Sequence, residues 1–140
     1  MTAKQFLQEV RRMDRRIDAR QERLDRIRER LEAGRRSSLT GMPRGGRSDW
    51  ADTADRLIDL ERRVNGTIRE MCRMKRLAQE AIGKIDDSRL RDVLEYYYID
   101  GMTWEQVAEA MGYSDPRFVF RLHGRALLEF VVPEEVKRND

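Results

Sequence analysis

Apolar side chains recur every three or four residues through the first third of the chain. Between residues 6 and 31 they are Phe6, Val10, Met13, Ile17, Leu24, Ile27 and Leu31. Only Arg20 stands where this alternation would place another apolar residue. Steps of three and four keep one face of an α-helix apolar, and their alternation is the seven-residue pattern of a coiled coil. The spacing therefore predicts a long amphipathic helix.

A second stretch has the same spacing. Its face positions are Trp50, Thr53, Leu57, Leu60, Val64, Thr67, Met71, Met74, Ala78, Ala81 and Ile85. The faces 6–31 and 53–78 are equal in length, and residues 34–48 between them are rich in Gly and Arg without periodicity. We therefore predict an antiparallel helical hairpin, or coiled coil, over residues 1–87 with a linker at 34–48. Pairing of the first helix with a second copy of the chain is the open alternative.

Shorter amphipathic segments follow in the last third of the chain. The first, over residues 88–99, has an apolar face made of Leu90, Val93, Leu94 and Tyr97. Gly101 supplies the left-handed turn that ends it. Thr103 is a good N-cap for the next helix, and Gln106 three residues later completes a capping box. Gly112 ends that second helix.

The final helix begins near Pro116, which suits a first helical turn because its missing N–H would be unpaired there anyway. Ser114 or Asp115 provides the N-cap. Four apolar residues face inward, namely Val119, Leu122, Ala126 and Phe130. The opposite face carries Arg117, Phe120, Arg121, Gly124 and Arg125. A capped helix, a glycine turn and a second capped helix with outward arginines are typical of a DNA-reading helix-turn-helix.

These patterns, with few β-branched runs, predict an all-α protein. The expected organisation is the N-terminal antiparallel helical hairpin, a three-helix helix-turn-helix module at 88–132 and a flexible tail at 133–140. The charge is unevenly spread, since residues 1–36 hold 12 basic and 7 acidic side chains whereas residues 88–130 hold 5 and 7. The predicted helix-turn-helix module is therefore expected to bind DNA only weakly by itself. Additional affinity would come from the basic N-terminal helix, from a second subunit or from attachment to another DNA-bound protein.

Catalytic and metal chemistry have no candidates in the sequence. The single cysteine and the single histidine cannot supply a zinc set, and no nucleophile is spaced with a base. We therefore expect a protein that is not an enzyme and that uses no cofactor and no metal. No window of eighteen apolar residues and no signal peptide is present, which predicts a cytoplasmic protein without a membrane partner.

A few aromatic and basic side chains carry separate expectations. Of the three consecutive tyrosines at 96–98, Tyr97 is expected in the core, and the other two over a helix junction or a partner surface. His123 lies beside the arginine row, where a phosphate contact and a partly buried structural role are both open. Arg11 and Arg15 of the first helix are candidates for phosphate contacts.

The segments LRDVLEYYYIDGMTWEQVAEAMGYS and VFRLHGRALLEF resemble region 4 of bacterial sigma factors, the part that reads the −35 promoter element. The whole chain, opening with MTAKQFLQEVRRMDRRI, resembles short phage and prophage proteins regarded as late-gene transcription regulators, in the neighbourhood of the ArpU and RinA groups. No segment resembles sigma region 2. The resemblance implies a promoter-reading protein that works with host RNA polymerase in a bacterial cytoplasm.

The predicted function is a phage-encoded, DNA-binding transcription regulator. Its predicted DNA-binding residues are Arg117, Phe120, Arg121, Gly124, Arg125, Ser114 and Thr103. Arg44 and Arg47 in the linker are candidates for a minor-groove or phosphate contact. Double-stranded DNA, bacterial RNA polymerase and a second copy of the chain in a dimer are the expected partners. A small terminase subunit and a polymerase- or sigma-binding protein that never meets DNA are the alternatives.

Overall fold

The computed structural model describes residues 1–39 and 46–137, and these residues are helical without a strand. Helices account for 86% of the structure, which confirms the all-α class. The helices are α1 (Ala3–Leu39), α2 (Gly46–Gly83), α3 (Ser88–Leu94), α4 (Trp104–Met111), α5 (Pro116–Glu129) and α6 (Glu134–Lys137). A π-helical segment, Glu95–Ile99, continues α3. The chain divides into two compact units, Arg15–Glu70 and Met1–Asp14 with the chain from Met71 onward.

The unit formed by Arg15–Glu70 contains the C-terminal part of α1 and the N-terminal part of α2. Its buried cluster consists of Leu24, Ile27, Leu57 and Val64. Leu31, Leu60 and Ile68 pack against this cluster and are partly buried. Arg28 Nε lies 3.5 Å from Glu61 Oε2 and forms an ion pair. The three- and four-residue spacing thus identified the four buried side chains of this unit, although its predicted face position Thr53 is exposed and Ile68, outside the predicted face, is partly buried.

Helices extend into both ends of the predicted linker at 34–48, because α1 continues to Leu39 and α2 already begins at Gly46. Gly34 lies inside α1, and a Cβ there would collide with the indole of Trp50. The glycine therefore allows a close helix approach and does not mark a chain break. Arg44 lies outside the described residues, as does the side chain of Arg47, so their predicted groove contacts stay predictions.

The other unit has a core built from both ends of the chain. Phe6, Leu7 and Val10 of α1 are buried together with Ala78, Ala81 and Ile82 of α2, and with side chains of α3, α4 and α5. Phe6 contacts Phe130 with ring centroids 6.1 Å apart. Lys75 Nζ donates to Asp14 Oδ1 at 2.7 Å and pins α2 to α1 within this unit. The N-terminal turns of α1 are therefore part of the core on which the C-terminal helices rest.

The prediction that Tyr97 is the core tyrosine is wrong, because Tyr98 occupies the core instead. Tyr98 is 2% exposed, whereas Tyr97 is only partly buried. The backbone explains the shift, since Asp100 N–H donates to Glu95 C=O, five residues back, at 2.9 Å. A π turn contains one residue more than an α-helical turn, so the side chain that points into the core is one residue later in the sequence.

The predicted flexible tail at 133–140 differs from the structure in its first half. Residues Glu134–Lys137 form α6, and Val136 is buried in the core. Val136 N–H donates to Pro133 C=O at 3.0 Å, which closes the turn. One buried valine and a proline-initiated turn thus hold this segment, while residues 138–140 lie outside the description.

Candidate nucleic-acid interface

Helix α4 begins and ends as its sequence predicts. Thr103 Oγ1 accepts from Gln106 N–H at 3.2 Å and Gln106 Oε1 accepts from Thr103 N–H at 2.9 Å, so the capping box is complete. Gly112 closes the helix at φ 80°, and Gly101 has φ 72° at the preceding turn. Only glycine adopts this left-handed backbone without strain. Both glycines are therefore required by the chain path.

Four residues, 112–115, connect α4 to α5. Asp115, and not Ser114, is the N-cap of α5, and its Oδ1 accepts from Arg117 N–H at 3.0 Å. The Arg117 side chain returns to the same carboxylate, with Nε donating to Oδ2 at 2.8 Å. These side-chain and backbone hydrogen bonds lower the pKa of Asp115, so the cap is ionised at neutral pH. Arg117 is thus tied to the helix start although its side chain is 84% exposed.

The inner face of α5 is the predicted one. Val119, Leu122, Ala126 and Phe130 are all buried. They seat α5 on α3 and α4. Because the core fixes the rotation of α5 about its axis, the side chains of its outer face point into solvent.

The outer face of α5 brings together the predicted residues Arg117, Phe120, Arg121, Gly124 and Arg125, all exposed. Within residues 1–39 and 46–137, Arg121 and Arg125 have no ion-pair partner. A Cβ on Gly124 would meet nothing within 4 Å, so packing does not demand a glycine there. Ser114 is exposed in the turn, whereas Thr103 lies at the start of α4 with its hydroxyl engaged in the cap.

Phe118 and Leu128 extend this face and were missed in the sequence. Phe118 is 52% exposed and Leu128 is 87% exposed. Phe118 stacks on Tyr113, with ring centroids 5.9 Å apart, and the guanidinium carbon of Arg121 lies 6.0 Å from its ring centroid. The steps of three and four that run from residue 118 through 121 and 125 to 128 were the available signal.

Phe120, 48% exposed, rests on a stack of side chains. Its ring meets Trp104 edge to face at 5.4 Å, and Trp104 stacks on Tyr97 at 3.8 Å with planes 10° apart. The Arg11 guanidinium carbon lies 4.2 Å from the Tyr97 centroid and must occupy the other face of the ring, because one face cannot hold both groups. The stack links α1 to the outer surface of α5 through side chains in van der Waals contact.

Arg11 is therefore a structural residue whose guanidinium is engaged within the protein, and its predicted phosphate contact stays a prediction. Its Nε donates to Tyr97 C=O at 3.0 Å and its Nη2 donates to Met102 C=O at 3.2 Å. The Tyr97 carbonyl belongs to the π segment, and the Met102 carbonyl lies in the connection between that segment and α4. The guanidinium thus donates to two backbone acceptors in a partly buried place, where an unsatisfied carbonyl would cost stability. Arg15, the other candidate, is exposed.

Of the two roles predicted for His123, a phosphate contact and a partly buried structural role, the structure shows the second. A hydrogen bond of 2.6 Å joins its Nε2 to the hydroxyl of Tyr98, and Trp104 packs on its ring at 4.7 Å. Burial, and then the nearby charge of Lys4, lower the pKa of His123 to about 4. The imidazole is thus neutral at neutral pH and offers no positive charge to a phosphate.

Other classes of site are scarce in the part of the chain that the structure describes. No group of three or more His, Cys, Asp or Glu side chains there could hold a metal ion, and Cys72 is exposed. No described helix has the length and apolar character needed to cross a membrane. The arginine and aromatic face of α5 is thus the feature that most resembles a binding surface.

Residues 37–130 match the family described as "Protein of unknown function (DUF1492)", and the chain belongs to this family. The family is typical of phage-like proteins. The match runs from the last turn of α1 to the end of α5 and so includes the whole α4–α5 segment. Comparison with curated proteins gives no match, and comparison with solved structures gives none either.

Proposed function

We propose that this chain is a phage-type, DNA-binding transcription regulator in which α4 and α5 form a helix-turn-helix and α5 enters the major groove. The observation that carries the proposal is the outer face of α5, where Arg121 and Arg125 are exposed and unpaired within the described residues while the inner face is fixed. A four-residue turn with a left-handed glycine is typical of this motif. Its second helix is the one that contacts bases.

Arginine has the right chemistry for this task. Its planar guanidinium donates two parallel hydrogen bonds to O6 and N7 of guanine, the commonest specific contact in the major groove. Arg121 lies in the first half of α5, and the N-terminal part of a recognition helix reaches base edges. We therefore assign Arg121 as the principal reading residue and Arg125, one turn later, as its neighbour.

Arg117 and Gly124 receive different roles. Arg117 is held by the Asp115 carboxylate, so it contacts a phosphate beside the groove and does not read a base. Gly124 has open space where a side chain would stand, and this space lets the helix approach the DNA closely. Ser114, exposed in the turn, is placed for a second phosphate contact.

Affinity must also come from elsewhere, because residues 88–130 hold more acidic than basic side chains. We propose that α1 and α2 form an antiparallel hairpin whose basic α1 supplies charge, and that the chain acts as a dimer or with RNA polymerase. Binding to two half-sites, or attachment to a DNA-bound enzyme, raises the overall affinity above that of one weak contact, because the second binding event takes place at a high effective concentration. Sedimentation in the presence and absence of duplex distinguishes dimer from monomer.

The test begins by selecting preferred duplexes from a random DNA pool with the full chain. Binding of Arg121→Ala is then compared on the selected duplex and a scrambled one at two salt concentrations. We expect a loss of about 1–3 kcal/mol on the selected duplex and much less on the scrambled one. Arg36→Ala, an exposed arginine on α1, is the matched control and should weaken both duplexes equally.

Three results would contradict parts of this proposal. Equal losses on both duplexes for Arg121→Ala would make Arg121 a phosphate contact. Failure to select any sequence would favour a protein that binds polymerase or sigma factor without touching DNA. A ring-sized mass would favour the small terminase subunit.

A further inference from the structure

We propose that Phe118 contacts the C5-methyl group of a thymine lying within two base pairs of the guanine that Arg121 reads. This inference rests on the proposed function and adds a second specificity-determining residue to it. The site would thus prefer a thymine beside a guanine and not a guanine alone.

The position of Phe118 in α5 is the first argument. It is the third residue of the helix, in the first turn, after Pro116 and Arg117. Residues there reach furthest into the groove when a recognition helix points its N-terminal end at the bases. The cap and the left-handed turn at Gly112 fix the direction of this end.

The environment of the ring is the second argument. About half of the Phe118 side chain is covered by neighbours, including Tyr113, and 52% remains in water. An exposed phenyl ring gains free energy when an apolar group covers it. Phe120 on the same helix also rests on a neighbour, Trp104, but lies on the flank of α5 nearer to α4.

The third argument is the pairing of Phe118 with Arg121. These residues are three apart on one helix and lie on the same side of it. The guanidinium carbon is 6.0 Å from the ring centroid. Successive bases rise by about 3.4 Å, so two groups this far apart reach edges within about two base steps. A guanine under Arg121 therefore places a neighbouring base under Phe118.

Thymine is the base that suits a phenyl ring. Its C5-methyl is the apolar group that an unmodified base pair presents in the major groove, and phenylalanine is among the side chains that contact it. The other groups at the groove floor are hydrogen-bond donors and acceptors, which the ring cannot satisfy. Contact with them would leave polar atoms desolvated.

Deoxyuridine differs from thymidine only by the missing methyl group, and it supplies the test. In a duplex selected by the full chain, each thymine is replaced in turn by deoxyuridine and the dissociation constant is measured. We expect one position near the guanine at which affinity falls about fourfold, the equivalent of about 0.8 kcal/mol for one buried methyl group. Phe118→Ala should bind both duplexes equally well.

Two further variants make the result specific. Phe118→Leu keeps an apolar side chain and should keep most of the methyl effect. Ile58→Ala shortens an exposed apolar side chain on α2 and should leave the fourfold effect unchanged. Melting temperatures of all variants show whether α5 is still folded.

The outcomes separate this inference from the proposed function. Selective binding with no thymine position sensitive to the methyl group would overturn the Phe118 contact and leave the regulator proposal standing. If Phe118→Ala still bound the thymine duplex more tightly than the deoxyuridine duplex, another side chain would contact the methyl group, and the inference would be overturned. Failure to select any duplex would overturn the DNA-binding function itself, and the inference with it.

Discussion

The hydroxyl of Tyr98 and Nε2 of His123 lie 2.6 Å apart and join the π-helical segment to α5. Tyr98 is almost fully buried, and burial raises its pKa, so its hydroxyl stays protonated. Burial and the nearby charge of Lys4 favour the neutral form of the His123 imidazole. The pair thus helps to fix the helix whose outer face carries the arginines.

Acidification should destabilise the protein through His123. Its pKa is about 4 in the folded chain and about 6.5 when unfolded, so the unfolded chain binds the extra proton between these values. The stabilising contribution is complete above pH 6.5 and is lost as the pH falls toward 4. Because the ring keeps contact with water, we expect a loss of about 1–2 kcal/mol between pH 7 and pH 4.5. Urea unfolding across this range measures it.

His123→Gln is the control for this pH effect. It keeps a hydrogen-bonding side chain beside Tyr98 but cannot titrate, so its free energy of unfolding should change less with pH between 7 and 4.5. The carboxylates Asp87 and Asp115 have lowered pKa values and lose their contribution only at still lower pH. A variant with the same pH dependence as the parent would show that His123 is not the titrating group.

Arg11 should contribute far more stability than Arg12. Arg11→Ala removes two hydrogen bonds to backbone carbonyls and a cation–π contact, which we expect to cost about 2–3 kcal/mol. Arg12 is exposed and pairs only with Glu9 among the contacts described, so Arg12→Ala should change stability by less than about 0.5 kcal/mol. Chemical unfolding of both variants gives the comparison. Equal effects would mean that the Arg11 contacts add nothing beyond a surface charge.

Leu24 should be essential to the unit formed by Arg15–Glu70. It is 1% exposed in the cluster with Ile27, Leu57 and Val64, so Leu24→Asp buries an unpaired charge and should cost several kcal/mol, about 3–5. Ile58→Asp on the exposed side of α2 is the matched control and should cost much less. Thermal unfolding monitored by circular dichroism at 222 nm tests both. Unchanged melting of Leu24→Asp would refute the packing of α1 on α2.

Two glycines inside the long helices should respond to alanine in opposite directions. Gly34→Ala drives a Cβ into the Trp50 indole and should lower stability by about 1–3 kcal/mol. Gly66→Ala has nothing within 4 Å of the new Cβ and should raise stability by up to about 1 kcal/mol through helix propensity. Tryptophan fluorescence in a Trp104→Phe background, used because the chain has two tryptophans, reports whether the indole of Trp50 moves. Stabilisation by both substitutions would show that Trp50 does not cover Gly34.

Local rules explain why so much of the helical layout could be read from the chain. The buried faces of α1, α2 and α5 follow from three- and four-residue spacing, because a helix turns by a fixed amount per residue. The caps at Thr103 and Asp115 and the left-handed glycines at 101 and 112 depend on neighbours within a few residues. The outward position of Arg121 and Arg125 follows once the inner face of α5 is known.

The sequence by itself thus determined the all-α class, the inner and outer faces of α5 and the helix ends set by capping. Only the tertiary structure decided that Tyr98 replaces Tyr97 in the core, that Gly34 packs under Trp50, and that Arg11 serves two carbonyls some 90 residues away. Each of these outcomes depends on a partner distant in sequence or on one extra residue in a helical turn. Periodicity has no information on such contacts, because it records the direction of a side chain and not what that side chain meets.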